Sequence, residues 1–286
     1  MTPDRYDLFV IACGVIFALF FSAVSLFRLS VFDPQYDTVI FSQAYWNTIH
    51  HGEILSNSLE GGSHFGVHFS PVLFSLLPLS YLFPGPEALF VIKSILIALG
   101  AAPVYLCARH LLGERDGCLI TLVYFFYPVV HGAAYCDFYE TSFLPLLLGS
   151  ALWALVTGRE NLMLICGIGC LLVKEDVSLI VMMIGCAGLW MYRRRPVSGN
   201  WRFILLVILS LVVLLGFFLI IKPAFAGGDP EAANQFLDQY RDIPGNLSDH
   251  NGKRIHYLIQ IFAPLLFTPL AAPGILIIAL PSFLEL

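Results

Sequence analysis

The sequence predicts an all-α protein, a polytopic transmembrane helix bundle with about 8 spans that form one integral membrane domain over residues 1–286. Two observations predict it. Hydrophobic residues make up 58% of the chain and charged residues only 12%, against about 25% charged in an ordinary soluble domain. Several apolar runs also reach the roughly 17–25 residues that cross a bilayer as a helix. The net charge is −5, and no basic cluster points to nucleic acid as a partner. The seven cysteines sit almost entirely inside apolar stretches with no CxxC pair. They read as small hydrophobes rather than as disulfides or metal ligands.

The first span is expected at 8–27. Ala23-Val24-Ser25 imitates a cleavage site, but the apolar run is longer than a signal-peptide core and its leading flank carries Asp4 and Asp7 beside Arg5. A retained helix follows. Further spans are expected at 87–110, 117–134, 141–157, 161–173, 176–192, 203–221 and 257–280. The stretch 69–83, FSPVLFSLLPLSYLF, is short, carries Pro71 and Pro78, and runs into Pro84-Gly85-Pro86. It reads as an interfacial or re-entrant segment rather than a crossing. The chain ends at LPSFLEL directly after an apolar run, and is expected to lack C-terminal helices.

Orientation follows from arginine and lysine in the short loops. Arg193-Arg194-Arg195 through Arg202 is the strongest cytoplasmic signal, and Arg109 with Arg115, and Arg159, mark two further basic loops. With a cytoplasmic N-terminus and 69–83 uncounted, all three fall inside, in a multi-pass protein of the plasma membrane. Trp190 and Trp201 then flank the inner interface. The opposite loops are 28–86, 135–140, 174–175 and 222–256. Making 69–83 a span and fusing 161–192 would instead bury Lys174, Glu175 and Asp176 at mid-membrane, at about 2.5–3.5 kcal/mol per residue on the milder scales.

Under this topology the polar residues gather on the outer side. Loop 28–86 supplies Asp33, Asp37, Gln43, Trp46, His64 and His68; YCDFYE supplies Asp137 and Glu140; the next turn supplies Lys174, Glu175 and Asp176. The last outer loop brings Tyr240, Arg241 and Lys253-Arg254, and Lys93 lies near the outer end of the second span. A lone acid such as Glu53, Glu60 or Glu231 reads as simply solvated. Lys174-Glu175-Asp176 could equally be a self-satisfied ion pair at a turn. His64 and His68 stand four apart and could share a helical face on zinc, but HExxH and a third close ligand are missing. His68 is therefore taken as a site residue and His64 as a bystander. Asp33 with Asp37, and Asp137 with Glu140, have the spacing that aims each pair one way along a helix.

The set outlines a chemistry without deciding it. A carboxylate such as Asp37 can deprotonate an acceptor hydroxyl. Asp137 and Glu140 can hold a divalent cation, Mg or Mn, on a phosphate leaving group. Lys93, Lys174 or Arg241 can bind phosphate, and Trp46 with Tyr45 can stack on a sugar. That outlines sugar transfer from a lipid-phosphate donor, and more loosely an ion-coupled transporter.

The runs YDTVIFSQAYWNTIHHG, HFSPVLFSLLPLSYLFPGPEALF, YCDFYETSFLPLLL and LLVKEDVSL resemble, in order and over nearly the whole chain, a family of predicted prokaryotic membrane proteins known only as a domain of unknown function. More distantly the layout resembles the C-type glycosyltransferases, multi-spanning enzymes that use polyprenyl-phosphate sugar donors. HFSPVL and Cys107-Ala108-Arg109 fit their outline. The resemblance implies a C-type glycosyltransferase-like fold. It implies hexosyl or pentosyl transfer from a polyprenyl-phosphate-linked sugar in the membrane lipid to an acceptor hydroxyl on the extracytoplasmic face. Asp37 matches the first-loop acid, the base, with His68 as its phosphate or metal partner. Asp137 and Glu140 stand where some relatives bind metal, and Lys174-Glu175 matches a lysine-bearing turn. The second-loop motif is DFYE rather than Asp-x-Asp, and SP stands where relatives often have two prolines. The alternatives are an ion-coupled or lipid-handling transporter using Lys174, Glu175 and Asp176, and an inactive membrane scaffold.

Overall fold

The computed structural model of the chain describes residues 4–34, 36–225 and 251–281. It is built almost wholly of helices. α1 (Arg5–Ser30) starts at a capping box, in which the Asp4 carboxylate accepts from the N–H groups of Tyr6 and Asp7. α4 (Pro86–Leu99) and α5 (Ala101–Leu112) run on through Gly100 as one 27-residue apolar helix. α11 (Trp201–Gly216) continues through a π-turn, Phe217–Ile221, into α12 (Lys222–Phe225). These three helices are long and apolar enough to cross a membrane. A fourth candidate is the pair α6 (Glu114–Phe126) and α7 (Pro128–Tyr135). The pair is bent by 50°, because Pro128 has no N–H to continue the ladder and pushes Tyr127 into an extended conformation. α8 (Leu144–Val156), α9 (Glu160–Leu171) and α10 (Val177–Met191) are apolar but shorter.

The chain shuttles between two ends of the bundle. α1 begins beside the end of α5, where Arg109 bonds Asp7 at 2.7 Å and Asp4 at 3.2 Å. It ends at Arg28, which reaches the Tyr135 carbonyl after α7. α8 runs alongside α4 and α5 in the same sense. A Cβ on Gly100 would stand 2.4 Å from Pro145, and one on Gly149 would stand 2.8 Å from Pro103. α9 starts beside the α10–α11 loop, where Glu160 meets Arg195 at 2.5 Å and Arg202 at 3.3 Å. It finishes at Leu172, whose carbonyl accepts from Val72 N–H at 2.8 Å. Arg109, Arg159, Arg195 and Arg202 therefore share one end, and 36–85, 135–140 and 172–176 share the other.

At that second end, residues 28–86 are more ordered than a loop. They contain α2 (Tyr36–His51), a two-residue hairpin pairing β1 (Ser56–Asn57) with β2 (Gly62–Ser63), a 3₁₀ turn at His64–Gly66, a second at Pro71–Leu76, and α3 (Leu77–Leu82). The stretch 69–83 enters and leaves at this end, since Val72 bonds Leu172 while α4 departs just after Phe83. A core of Phe41, Ala44, Tyr45, Leu55, Phe65, Leu73, Leu76, Leu89 and Phe138 locks these pieces together. A second core joins α8 to α11, and a third joins α1 to α4, α6 and α7.

The expected span at 257–280 is not one helix. α13 (Asn251–Phe262) stops at short 3₁₀ turns, with Leu266 and Phe267 left-handed at φ 51° and 57°. Pro264, Pro269 and Pro273 each break the hydrogen-bond ladder there.

Candidate functional site

The polar residues at the second end fall into two groups joined by YCDFYE. In the first, Asp137 is buried at the centre. It accepts from Thr38 N–H at 3.2 Å and from the Thr38 hydroxyl, and pairs with Arg28 at 3.7 Å. Arg28 also holds Asp33 at 2.8 Å. Lys93, fully buried on α4, donates to the Cys136 carbonyl and to Ser25 Oγ at 3.3 Å, with the Asp137 charge close by. Every charge here is answered by another from a neighbouring segment, which is what a low-dielectric interior requires.

The second group is built on the turn between α9 and α10 and on the 3₁₀ turn after the hairpin. His68 Nδ1 lies 2.8 Å from Glu175 Oε1, and Phe69 N–H donates to Glu175 Oε2 at 2.8 Å. His64 Nδ1 lies 2.9 Å from Glu60 Oε1, and Asn57 orients Glu60 by donating to Oε2 and accepting from its N–H at 2.8 Å. The two imidazoles stand 5.6 Å apart. Lys174 pairs with Asp176 at 3.5 Å, while Glu175 turns inward. Burial works against charge throughout this group, but the partners prevail. Burial raises the Glu60 carboxyl, yet the hydrogen bond and charge of His64 bring it below its ordinary value. Burial lowers the His64 imidazole, yet Glu60, then Glu140 and Glu175, raise it. Glu175 is lowered in the same way, with His68 and Phe69 overcoming burial. Lys174 is raised, with Asp176, Glu140 and Glu175 overcoming burial.

Several buried side-chain atoms here have no hydrogen-bond partner among the described residues: His64 Nε2, Asp176 Oδ1, Ser70 Oγ and Ser178 Oγ. Glu140 is only 3% exposed, and its carboxylate makes no hydrogen bond or ion pair among the described residues, although its charge acts on His64, Lys174 and Tyr45. His64 is equally buried, and its Nε2 has no hydrogen-bond partner among the described residues. A buried ring nitrogen left unmet costs about 1–3 kcal/mol, and on the imidazolium that Glu60 favours it is a donor. A buried acid and a buried ring nitrogen left open in one cluster, with the Glu140 charge acting on His64, offer a place for a hydroxyl, which can donate to one and accept from the other.

Of the residues singled out from the sequence, His68, Lys174, Glu175 and Glu140 come together here. Asp37 lies at the edge, where the Tyr139 hydroxyl donates to it, one residue before Glu140. Lys93 and Asp137 belong to the internally neutralised group. The expected metal pair is thus divided, with Asp137 against Arg28 and Thr38 and Glu140 against His64 and Lys174. Among the described residues no group of three or more His, Cys, Asp or Glu side chains is placed to hold a metal. Trp46 stands apart, 48% exposed and stacked on His50 at 3.9 Å, in a groove with Ser42, Ser80 and Gly85. Arg241 lies outside the described residues. His64 and Glu60, read from sequence as a bystander and a solvated acid, form a buried pair. Their four-residue spacing was the one signal available.

The fold and this site define an integral membrane protein of apolar helices with a buried acid–base cluster at one end. Residues 28–286 match the DUF2079 family, described as predicted membrane proteins, and the chain belongs to it. No curated protein and no solved structure matches the chain.

Proposed function

We propose that this protein is a multi-pass glycosyltransferase of the plasma membrane, with seven crossings among the described residues once the bent pair and the shorter apolar helices 140–156, 160–171 and 177–191 are counted, and with a cytoplasmic N-terminus. It moves a sugar from a polyprenyl-phosphate-linked donor to an acceptor hydroxyl on the extracytoplasmic face. One observation carries the reading: Glu140, 3% exposed and without a hydrogen-bond or ion-pair partner among the described residues, in the same cluster as the open Nε2 of His64, on which its charge acts. The acceptor hydroxyl donates to Glu140 and accepts from His64. Its oxygen attacks the anomeric carbon, its proton passes to Glu140, and the bond from that carbon to the phosphate oxygen breaks. Polyprenyl phosphate departs with the electron pair, its charge met by Lys174 and by Lys222 at the start of α12, which lies within reach of the Glu175 charge. His68 and Glu175 hold the turn that presents Lys174. Asp37, bound by Tyr139, positions the segment that carries Glu140 and is a second candidate for the base.

The arrangement favours transfer over transport, since a transporter needs polar groups along a path between both ends and this cluster is confined to one. The test is transfer of radiolabelled hexose or pentose from polyprenyl-phosphate donors by the full chain in nanodiscs. Wild type is expected to transfer and Glu140→Gln to lose about 100-fold or more. Full activity in Glu140→Gln would defeat the assignment, and no transfer from any donor would defeat the class.

A further inference from the structure

At the end opposite the acid–base cluster, arginines are laid systematically on aromatic rings. Arg193 lies 4.9 Å over Trp190, Arg195 3.9 Å over Tyr192, Arg202 4.6 Å over Trp201 and Arg159 4.6 Å over Trp153. Each contact fixes the guanidinium plane without neutralising it. Among the described residues, the one carboxylate within ion-pair distance of these four arginines is that of Glu160, and it is taken by Arg195 and Arg202. Arg159, Arg193 and Arg194 have no acidic partner within ion-pair distance among the described residues, so this end carries a strong positive excess. Met191, Tyr192 and the three successive arginines line a groove.

The surroundings select the ligand. Trp190 is 68% exposed and Trp201 47%, and just above them α11 exposes Ile208, Leu211 and Val212. The apolar surface that meets acyl chains thus ends at exposed tryptophans, which favour the headgroup level, and the arginines begin there. An occupant must carry acyl chains and an anionic phosphate together. A zwitterionic headgroup would also bring a cation against unpaired arginines.

We infer that this collar is a binding site for anionic phospholipid, with the phosphodiester of a phosphatidylglycerol-type headgroup seated on Arg193 and Arg194 and its acyl chains lying along α10 and α11. The site holds this lipid in the cytoplasmic leaflet whatever reaction the opposite end performs.

The experiment is native mass spectrometry of the delipidated full chain in detergent, titrated with dioleoylphosphatidylglycerol, with dioleoylphosphatidylcholine, or with inorganic phosphate. Phosphatidylglycerol is expected to bind at least about tenfold more tightly than phosphatidylcholine, and free phosphate not to displace it. Arg193→Gln with Arg194→Gln is expected to weaken phosphatidylglycerol roughly fivefold per arginine and leave phosphatidylcholine unchanged. Arg115→Gln, in a different basic loop, serves as the control and is expected to change nothing. Gel filtration checks folding, and the two single variants replace the double if it aggregates. Equal binding of the two lipids would overturn the inference. So would an Arg115→Gln loss as large as the double variant's, or full competition by inorganic phosphate, which would mark a free-anion site.

Discussion

Asp137→Asn probes the buried network that ties the first helix to the site. The Asp137 side chain is fully buried, with Arg28 7% exposed beside it and Lys93 fully buried. At the observed 3.7 Å, the Arg28 attraction is about 4 kcal/mol for an effective dielectric near 20. Asparagine keeps the shape and can still accept from Thr38, so the change removes charge and little else. Arg28 then keeps Asp33, whose side chain is 57% exposed and screened, while Lys93 keeps only the neutral Cys136 carbonyl and Ser25 Oγ among the partners described above. Breaking a buried pair from one side costs about 3–5 kcal/mol, and a value near 3 is expected because the hydrogen bonds survive. The assay is SDS titration of the full chain in detergent, read by reaction of the buried thiols Cys166 and Cys170. Adding Lys93→Met removes one stranded cation, so the double variant is expected to be about 1–3 kcal/mol more stable than the sum of the single effects. A loss below about 1 kcal/mol for Asp137→Asn, or strict additivity in the double, would refute the claim that charge balance holds this end together.

His64 has its imidazole raised, so its contribution is complete below the unfolded value of 6.5 and fades as pH rises through the raised one. Glu60 is lowered, so its contribution is complete above the unfolded value of 4.5 and fades as pH falls through the depressed one. His64→Gln is therefore expected to destabilise most between about pH 4.5 and 6.5 and less near pH 9, measured by thermal unfolding across pH; a pH-independent loss would contradict the pair. Gly188→Ala would put a Cβ 2.3 Å from the buried Phe203 ring, and overpacking of this kind is expected to cost about 1–3 kcal/mol; a neutral result would argue against the close α10–α11 crossing. Glu53→Cys and Arg194→Cys, in a background lacking Cys186, test orientation with an impermeant maleimide on intact cells. The first is expected to label directly and the second only after permeabilisation, and the reverse pattern would invert the topology.

Much of the bundle was legible because apolar run length and proline are local signals. The helices at 86–112, 140–156, 160–171 and 177–191 begin and end within a few residues of the runs that foretold them. α2 was not foreseen, since YDTVIFSQAYWNTIHH mixes polar and apolar residues without a long run, and its stability comes from packing Phe41 and Tyr45 against Leu73 and Phe138. The break after Phe262 was visible in three prolines that hydropathy alone outweighs. At the site, the acids were legible as unusual residues but their partners were not. His68 meets Glu175 across 107 positions and Asp137 meets Thr38 across 99, and no spacing rule connects such pairs. Glu60 and His64 are close in sequence, but a hairpin rather than a helix joins them, so helical spacing alone undervalued the pair.

What separates the two polar groups is satisfaction rather than composition. Both bring acids and bases from distant segments into an apolar fold, and both are costly to form there. In the Arg28–Asp137–Lys93 group the donors and acceptors answer one another, and a ligand entering it would have to break bonds already made. In the neighbouring group Glu60 and Glu175 are each held by an imidazole and Asp176 by Lys174 through one oxygen, which leaves Glu140, the Nε2 of His64 and the other oxygen of Asp176 open among the described residues. Evolution toward stability alone would have closed that gap with one more hydrogen bond or an apolar side chain. Holding it open favours an occupant with a donor and an acceptor on one atom, which is the chemical description of an acceptor hydroxyl. The charged network beside it then acts as the frame, since Asp137 and Glu140 are three residues apart and any shift of the first displaces the second. Asp137→Asn should accordingly lower activity through position, and a variant that keeps its transfer rate while losing stability would show that the frame and the site are uncoupled.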